Sequence, residues 1–593
     1  MKRSHCAYII IGFFLLVSLL YLKGNKYDTA ERFWMALLFA VSMAGIVFSL
    51  LQLKTRRLKP DALLLSVFVL FLWLSFFFSE TKNFGFSEAL VLTACIATYL
   101  LIARQKVSQN PNIFLKFIVG LAVLSSVFGL IYFVTQFEPR VAGLFFDPWK
   151  RPHFFPNTFA LFLLMTWPLA FFFFQEKWKK LYAVLLGILF AALFLTYSRG
   201  AWFVFGIQMI ATLLRFLLRK NEMRLRTLLT GVATTVVTTV VLIVALIALR
   251  SLQFPTVDVS ERIAFQNETR QTSIEERFEF FKGAMQLALE KPLLGHGPFS
   301  FRYVYPQIQP TLLAISDHPH NWFLKIAAEN GLPAFIALAS FFLYLFFISF
   351  KKCKHLEPSR QQFVFFTGLS MWGGLAHNMI DYNLNFLTTT ILFWVLLGLY
   401  RQALSENSPD AENTGMPIAP LLMVVLVLIL SLYEVAQIRA RDYGKSFFPR
   451  NYFLEKEVDL NHHLSLNPYD ARAWYSAGNY QKAFEYDPKN QFRYYVAELE
   501  RLRREGDDSK FQKIQQTVTP LLTLYESMLE QNLHFTAFTD NPENAAALYE
   551  LLGMPDKASE IRRIEKEVQA KTIGQNKLSW DVPFGLERFY RTR

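Results

Sequence analysis

The chain has only three cysteines in 593 residues, at positions 6, 95 and 353. They are too scattered for a disulfide framework and have no zinc-type spacing. No glycine-rich phosphate loop and no dinucleotide fingerprint occurs, so nothing in the chain points to a nucleotide as energy source. Long polar stretches are scarce before residue 439, and charged residues are only 18% of the whole. That scarcity excludes an ordinary soluble enzyme over this part. The net charge of +14 does not argue for nucleic acid, because the bases sit in short loops between apolar runs.

What fills the space is apolar. The hydrophobic share is 53%, above the ~45–50% of soluble domains. Phenylalanine alone accounts for 61 residues. Runs of about 18 or more apolar residues with few charges are candidates to span a membrane. The pattern predicts an all-α polytopic membrane protein with thirteen spans: 7–22, 32–53, 62–79, 84–103, 112–136, 155–175, 179–197, 200–218, 227–250, 321–350, 361–380, 385–402 and 417–438. The first is read as a retained helix, since no small-residue cleavage site follows its apolar core. With thirteen spans, every strongly basic loop falls on one side: after Leu53, Ala103, Gln175, Leu218 and Phe350. The positive-inside tendency makes that side the cytoplasm. The loops 137–154, 251–320 and 381–384, the turn at Ser198, and the tail then face outward.

The chain therefore divides into a membrane domain, 1–438, and a helical domain, 439–593. In the tail, the stretches 465–474 and 485–493 resemble each other as helix-pair junctions. They are similar to a degenerate tetratricopeptide array, although their ~20-residue spacing is shorter than the usual ~34. A generic helical domain fits equally well. Either would serve packing and partner contact.

Chemistry concentrates on the outward face. His318-Pro319-His320-Asn321 opens a long apolar helix that continues through Lys325, Glu329 and Gly331-Leu332-Pro333-Ala334. This is either a reacting centre or a helix N-terminus at a water interface. Arg199, in Tyr197-Ser198-Arg199-Gly200, interrupts two apolar spans. A mid-membrane arginine costs at least ~2.5–3.5 kcal/mol. At an outer end its planar fork can hold phosphate, or it can anchor the interface beside Trp202. Arg277 is either a second phosphate ligand or a partner for Glu275, Glu276 and Glu279. Asn157 suits a helix cap or a site role. His377 and Asp381 are four apart, hence on one helix face. The set lacks three convergent metal ligands, so no metal and no cofactor is expected. Two arginines suit a lipid-linked diphosphate, and a neutral histidine can take a hydroxyl proton. The combination points to transfer of a glycan from a lipid diphosphate. A transporter would instead place charge pairs along a central path, and a scaffold would be indifferent to His320.

The run His320-Asn321 with Gly331-Leu332-Pro333-Ala334, the Ser198-Arg199-Gly200 turn, Pro156-Asn157 and Leu293-Leu294-Gly295-His296-Gly297 together resemble the O-antigen ligase and polymerase superfamily. The likeness spans about 30–402, and it departs at Ala334, where the family usually has a second glycine. The resemblance implies a C-type glycosyltransferase fold in the bacterial inner membrane, with the active face and the tail periplasmic. It implies metal-independent, inverting transfer from undecaprenyl diphosphate. His320 would be the base, Arg199 and Arg277 would bind diphosphate, and Asp381 would be the acidic residue that the ligases carry in a late span; the residues themselves add His318, Asn321, His377 and Asn157 as supporting candidates. Ligases use lipid A–core as acceptor, polymerases a second lipid-linked repeat, and protein transferases a serine or threonine. The His-Asn motif favours the ligase.

Overall fold

The computed structural model describes residues 60–405 apart from 80–81, 104–110, 137–138, 148–152, 175–178, 219–224, 255–272, 306–307, 309–315 and 317. Beyond these it describes 461, 464–465, 474, 477–479, 482–483, 492–530 and 542–563. The expected spans at 7–22, 32–53 and 417–438 lie outside the described residues, as does most of the two repeat-like junctions of the tail.

Ten long helices occupy the other ten expected positions: α1 (Pro60–Phe77), α2 (Lys82–Ile102), α3 (Asn112–Thr135), α4 (Pro156–Phe173), α5 (Lys179–Leu195), α6 (Arg199–Leu218), α7 (Leu225–Ser251), α10 (Trp322–Cys353), α11 (Pro358–His377) and α12 (Leu387–Ala403). Six of them, α1, α3, α4, α6, α7 and α10, are long and apolar enough to cross a membrane. A two-residue antiparallel pairing, β1 (Phe146–Asp147) with β2 (His153–Phe154), hands the chain from α3 to α4. Between α7 and α10 lie the amphipathic α8 (Ser273–Glu290) and the single turn α9 (Phe301–Val304).

The helices run alternately up and down, so the loops entering α2, α4, α6, α10 and α12 gather at one end of the bundle. Of the six membrane-length helices, α4 is the most enclosed, packed against α3, α5, α6, α11 and α12, while α10 packs along α1 and α8. The bundle's outer surfaces stay apolar and exposed, as Phe203, Leu218, Val244 and Phe347 illustrate. That exposure suits lipid contact, where an apolar surface costs nothing.

α10 is two helices across a break. Gly331 takes φ 85°, ψ 165°, and Pro333 follows it. Pro333 has no amide hydrogen for the Glu329 carbonyl. Gly297 N–H supplies one at 2.8 Å and Ser75 Oγ–H another at 2.7 Å. The Ala328 carbonyl accepts from His296 N–H at 3.1 Å, while Leu332 N–H turns to the Pro292 carbonyl at 2.7 Å. The loop 292–297 thus completes the broken helix. Only glycines allow this approach: a Cβ on Gly295 would lie 2.4 Å from the Glu329 carbonyl carbon, and one on Gly331 would lie 2.3 Å from the Leu293 oxygen. Ala334 is fully buried just beyond the break, so its methyl is accommodated where the resembled family has glycine.

Charge is not confined to the outward face, as the sequence pattern led one to expect. Lys325 on α10 pairs with Glu88 on α2 at 2.8 Å and with Glu329 one turn on, all three fully buried. Asp61 and Arg401 pair at 3.1 Å near the other end of the bundle. The sequence shows Lys325 and Glu329 one turn apart on one helix, but not that Glu88 joins them or that Asp61 meets Arg401, because those partners lie on other helices.

In the tail, α13 (Phe492–Glu505), α14 (Asp508–Glu530), α15 (Pro542–Leu551) and a helix at 555–563 surround a separate apolar core. That core includes Leu499, Val518, Leu548 and Ile561, and also Phe299 from the loop ahead of α9. The tail helices therefore sit at the same end of the bundle as that loop.

Candidate functional site

Asn321 caps α10: its side-chain oxygen accepts the Leu324 amide at 3.0 Å, the usual device for a helix start. Its Nδ2 donates to the Met379 carbonyl at 2.9 Å, and Trp322 N–H donates to the Asn378 carbonyl at 2.9 Å. Asn378 also folds the following turn, its Oδ1 accepting from the amides of Asn383 and Leu384. These bonds lay the start of α10 beside the end of α11 and bring His320 against Asp381.

His320 Nδ1 lies 2.8 Å from Asp381 Oδ1. With the carboxylate accepting, Nδ1 carries the hydrogen and Nε2 keeps its lone pair. His320 holds a left-handed φ of 52°, a strained choice for a residue with a Cβ. The Phe280 ring of α8 stacks on the imidazole at 5.6 Å and 19°. The same Asp381 carboxylate receives Tyr382 N–H at 2.8 Å and Asn157 Nδ2 at 2.9 Å, and stands 3.6 Å from the Arg277 guanidinium. Burial alone would push the Asp381 carboxyl up. The hydrogen bond from His320 and the neighbouring Arg277 charge help outweigh it and hold the group far below the usual carboxylate range.

Arg277 thus reaches Asp381 across the site. Of the two readings of Asn157, the helix cap is the one that the fold overturns. Phe155 occupies the cap of α4 and Pro156 its first turn, so Asn157 does not cap. Its side chain runs between Asp381 and Arg140, whose guanidinium donates to Asn157 Oδ1 at 2.7 Å and to the Thr196 carbonyl at 2.8 Å. Arg140 escaped sequence reasoning, although it ends an apolar span on the outward side as Arg199 begins one. Its chain of bonds ties the Arg199 turn to the His320–Asp381 pair. Tyr197 in that turn has φ 51°, which swings Arg199 to the head of α6. Arg199 and Arg277 are close enough to repel each other.

His318 is placed differently from its neighbour. Its ring lies edge-on to Tyr382 at 4.6 Å and to Phe299 at 5.5 Å, buried behind His320. His377, the last residue of α11, is fully buried, and an added Cβ on Gly200 would lie 4.0 Å from its Nε2. It therefore lies against the Arg199 turn, one helical turn before Asp381, whose amide donates to its carbonyl at 3.0 Å. His296 serves the helix break through its backbone. Glu329 accepts the amides of Phe299 at 2.9 Å and Phe301 at 3.1 Å, so it organises the loop behind the site. Among the described residues no group of three histidine, cysteine, aspartate or glutamate side chains converges to hold a metal ion.

The arrangement offers an imidazole nitrogen oriented by a carboxylate, two neighbouring guanidiniums, and apolar helix surfaces running away from them. It suits proton abstraction beside an anion carried on a greasy chain. No curated protein matches the chain. Residues 181–339, from α5 through the Gly331 break, match the family described as O-antigen ligase, so this stretch of the membrane domain is similar to the O-antigen ligases.

Proposed function

We propose that the protein transfers a glycan from undecaprenyl diphosphate to an acceptor hydroxyl, with lipid A–core as the acceptor, on the periplasmic face of the bacterial inner membrane. The observation that carries this reading is the 2.8 Å contact of His320 Nδ1 with Asp381, which leaves Nε2 as a base. His320 Nε2 takes the acceptor's hydroxyl proton as that oxygen attacks the anomeric carbon. The bond from that carbon to the diphosphate breaks, and its electron pair stays on the diphosphate. Attack from the face opposite the leaving group inverts the configuration. Arg199 and Arg277 offset the charge of the departing diphosphate, and their mutual repulsion favours an anion between them. No metal or cofactor takes part.

A count of thirteen spans, with the basic loops on the cytoplasmic side, supports an outward position for this face. The packing of Phe299 into the tail's core supports a tail on the same face. A periplasm-active reporter fused after Arg593 should be active, and activity of a cytoplasmic reporter instead would reverse the orientation. The reaction is tested by the product lost when the gene is removed and restored by the parental chain. Loss of the lipopolysaccharide ladder is expected. Loss of chain length alone would make the protein a polymerase, and loss of a glycoprotein band would make it a protein transferase.

A further inference from the structure

We infer that Phe299 couples the tail helices to the His318–His320 turn, so that the tail holds the catalytic histidine's backbone in place. Four observations converge on this one side chain. Phe299 is almost fully buried, and it belongs to the apolar core of the tail with Phe492, Tyr495 and Leu499. Its other side lies edge-on to the His318 ring at 5.5 Å, two residues from His320. Its own backbone is fixed, with N–H donated to Glu329 at 2.9 Å. It adopts a left-handed φ of 60°, a conformation that a phenylalanine keeps only when its surroundings enforce it.

The geometry gives the coupling a direction. His320 also has a left-handed φ, and just ahead of it Ser316 and His318 close a small turn on each other. A turn held in a strained backbone conformation depends on the packing around it. The His318 ring is its inward anchor, gripped between Tyr382 and Phe299. Tyr382 is fixed by its amide's hydrogen bond to the Asp381 carboxylate. Phe299 is fixed on its far side by the tail. Removing the tail's grip frees one jaw of that clamp. Phe299 touches no reacting atom in this arrangement and is a positioning residue. Its kinetic effect rests on His320 being the base, but its effect on the turn's rigidity does not.

The test uses the full chain in lipid nanodiscs, with Phe299→Ala, Phe299→Met and the tail variant Leu499→Ala. The first two keep a Cβ at the strained position, so backbone strain is common to all. Amide hydrogen exchange over 316–324 is the first measurement. Phe299→Ala and Leu499→Ala should each speed exchange there about tenfold, as a loosened local segment does. Phe299→Met, which refills the space, should restore it. Phe299→Ala should also speed exchange over 492–502, since coupling is reciprocal. Glycan transfer is the second measurement: kcat should fall by ~10–100-fold with the KM for the lipid-diphosphate donor little changed, as for a misplaced base. Parental exchange over 316–324 in Leu499→Ala, even with the tail itself unfolded, overturns the inference. If exchange responds as expected while His320→Ala keeps full transfer, the coupling stands and the base assignment fails.

Discussion

Gly297 donates its amide to the carbonyl of Glu329 at 2.8 Å, making the bond that Pro333 cannot make. The break in α10 is thus repaired by a loop 32 residues earlier in the chain. That repair sets the position of the loop 297–301 relative to the His318–His320 turn. Glu329 holds the same loop by its side chain, so a single residue serves it twice, once from the carbonyl and once from the carboxylate.

The glycines of this junction should tolerate no Cβ. Gly331→Ala meets both a positive φ and a 2.3 Å clash with the Leu293 oxygen, and Gly295→Ala meets the Glu329 backbone at 2.4 Å. Strained backbone conformations of this kind cost ~1–3 kcal/mol before any clash is counted. Gly206→Ala, on α6 with nothing within 4 Å of the new methyl, is the control and should gain ~0.5–1 kcal/mol as an alanine within a helix does. Thermal unfolding in detergent separates the three. Equal melting temperatures would mean that the two backbones are not in contact.

The buried cluster of Glu88, Lys325 and Glu329 should matter to stability first. Lys325→Met leaves two carboxylates facing each other without their cation, and breaking a buried pair from one side costs ~3–5 kcal/mol. Glu329→Leu strands the amides of Phe299 and Phe301, at ~1–3 kcal/mol for each buried donor left unpaired. Glu329→Gln keeps one carbonyl oxygen for them and should fall between Glu329→Leu and the parent. Unfolding midpoints check the order. A Leu variant as stable as Gln would show that the carboxylate does not hold the loop.

The apolar helices were legible in the sequence because burial in lipid demands long runs, and each expected span between 62 and 402 coincides with a helix. The pattern over 321–350 reads as one unbroken span, and the break at Gly331 interrupts it. What repairs the break was not legible either, because backbone hydrogen bonds between distant segments leave no side-chain pattern. The pairing of His320 with Asp381 was hinted at by residue type alone. Asn157 looked like a cap by local rules, but Pro156 already fills the first turn and a carboxylate 224 residues away takes its amide. Arg140 and Glu88 have partners equally remote in sequence. Such residues become visible only when the fold places two distant loops together.

Arg199 and Arg277 should differ in what their loss does. Arg199 stands at the head of α6, held by the Tyr197 turn and repelled by Arg277, an arrangement that an anion would relieve. Lysine keeps the charge and loses the two-pronged fork. Arg199→Lys should therefore transfer glycan more slowly than the parent and faster than Arg199→Ala. Arg277→Ala should impair donor binding and also remove a cation from beside Asp381. Equilibrium binding of a lipid diphosphate to each variant checks the assignment, and parental affinity in Arg199→Ala would remove this residue from the diphosphate site.

His320 carries the sharpest expectation. A positioned base contributes ~10²–10⁴-fold in rate, or ~2.7–5.4 kcal/mol of barrier at 1.36 kcal/mol per decade. His320→Ala should lose that much transfer while the protein still inserts and still binds donor. His318→Ala should lose less, because its ring packs behind the turn between Tyr382 and Phe299 and does not face Asp381. Asp381→Asn keeps the shape but removes the charge that fixes the His320 tautomer, so its transfer should fall by at least ~10-fold. The carboxyl of Asp381 is depressed in the folded protein. The stability it contributes is therefore present above its unfolded value of ~3.9 and is lost as pH falls below that towards the folded value. Asp381→Asn should flatten this acid limb and leave stability at neutral pH lower. Transfer in reconstituted membranes, with purified lipid-diphosphate donor and matched protein amounts, compares the three variants directly. Full activity in His320→Ala would leave the 2.8 Å contact with Asp381 as a structural tie, and would move the search for the base to another group at this end of the bundle.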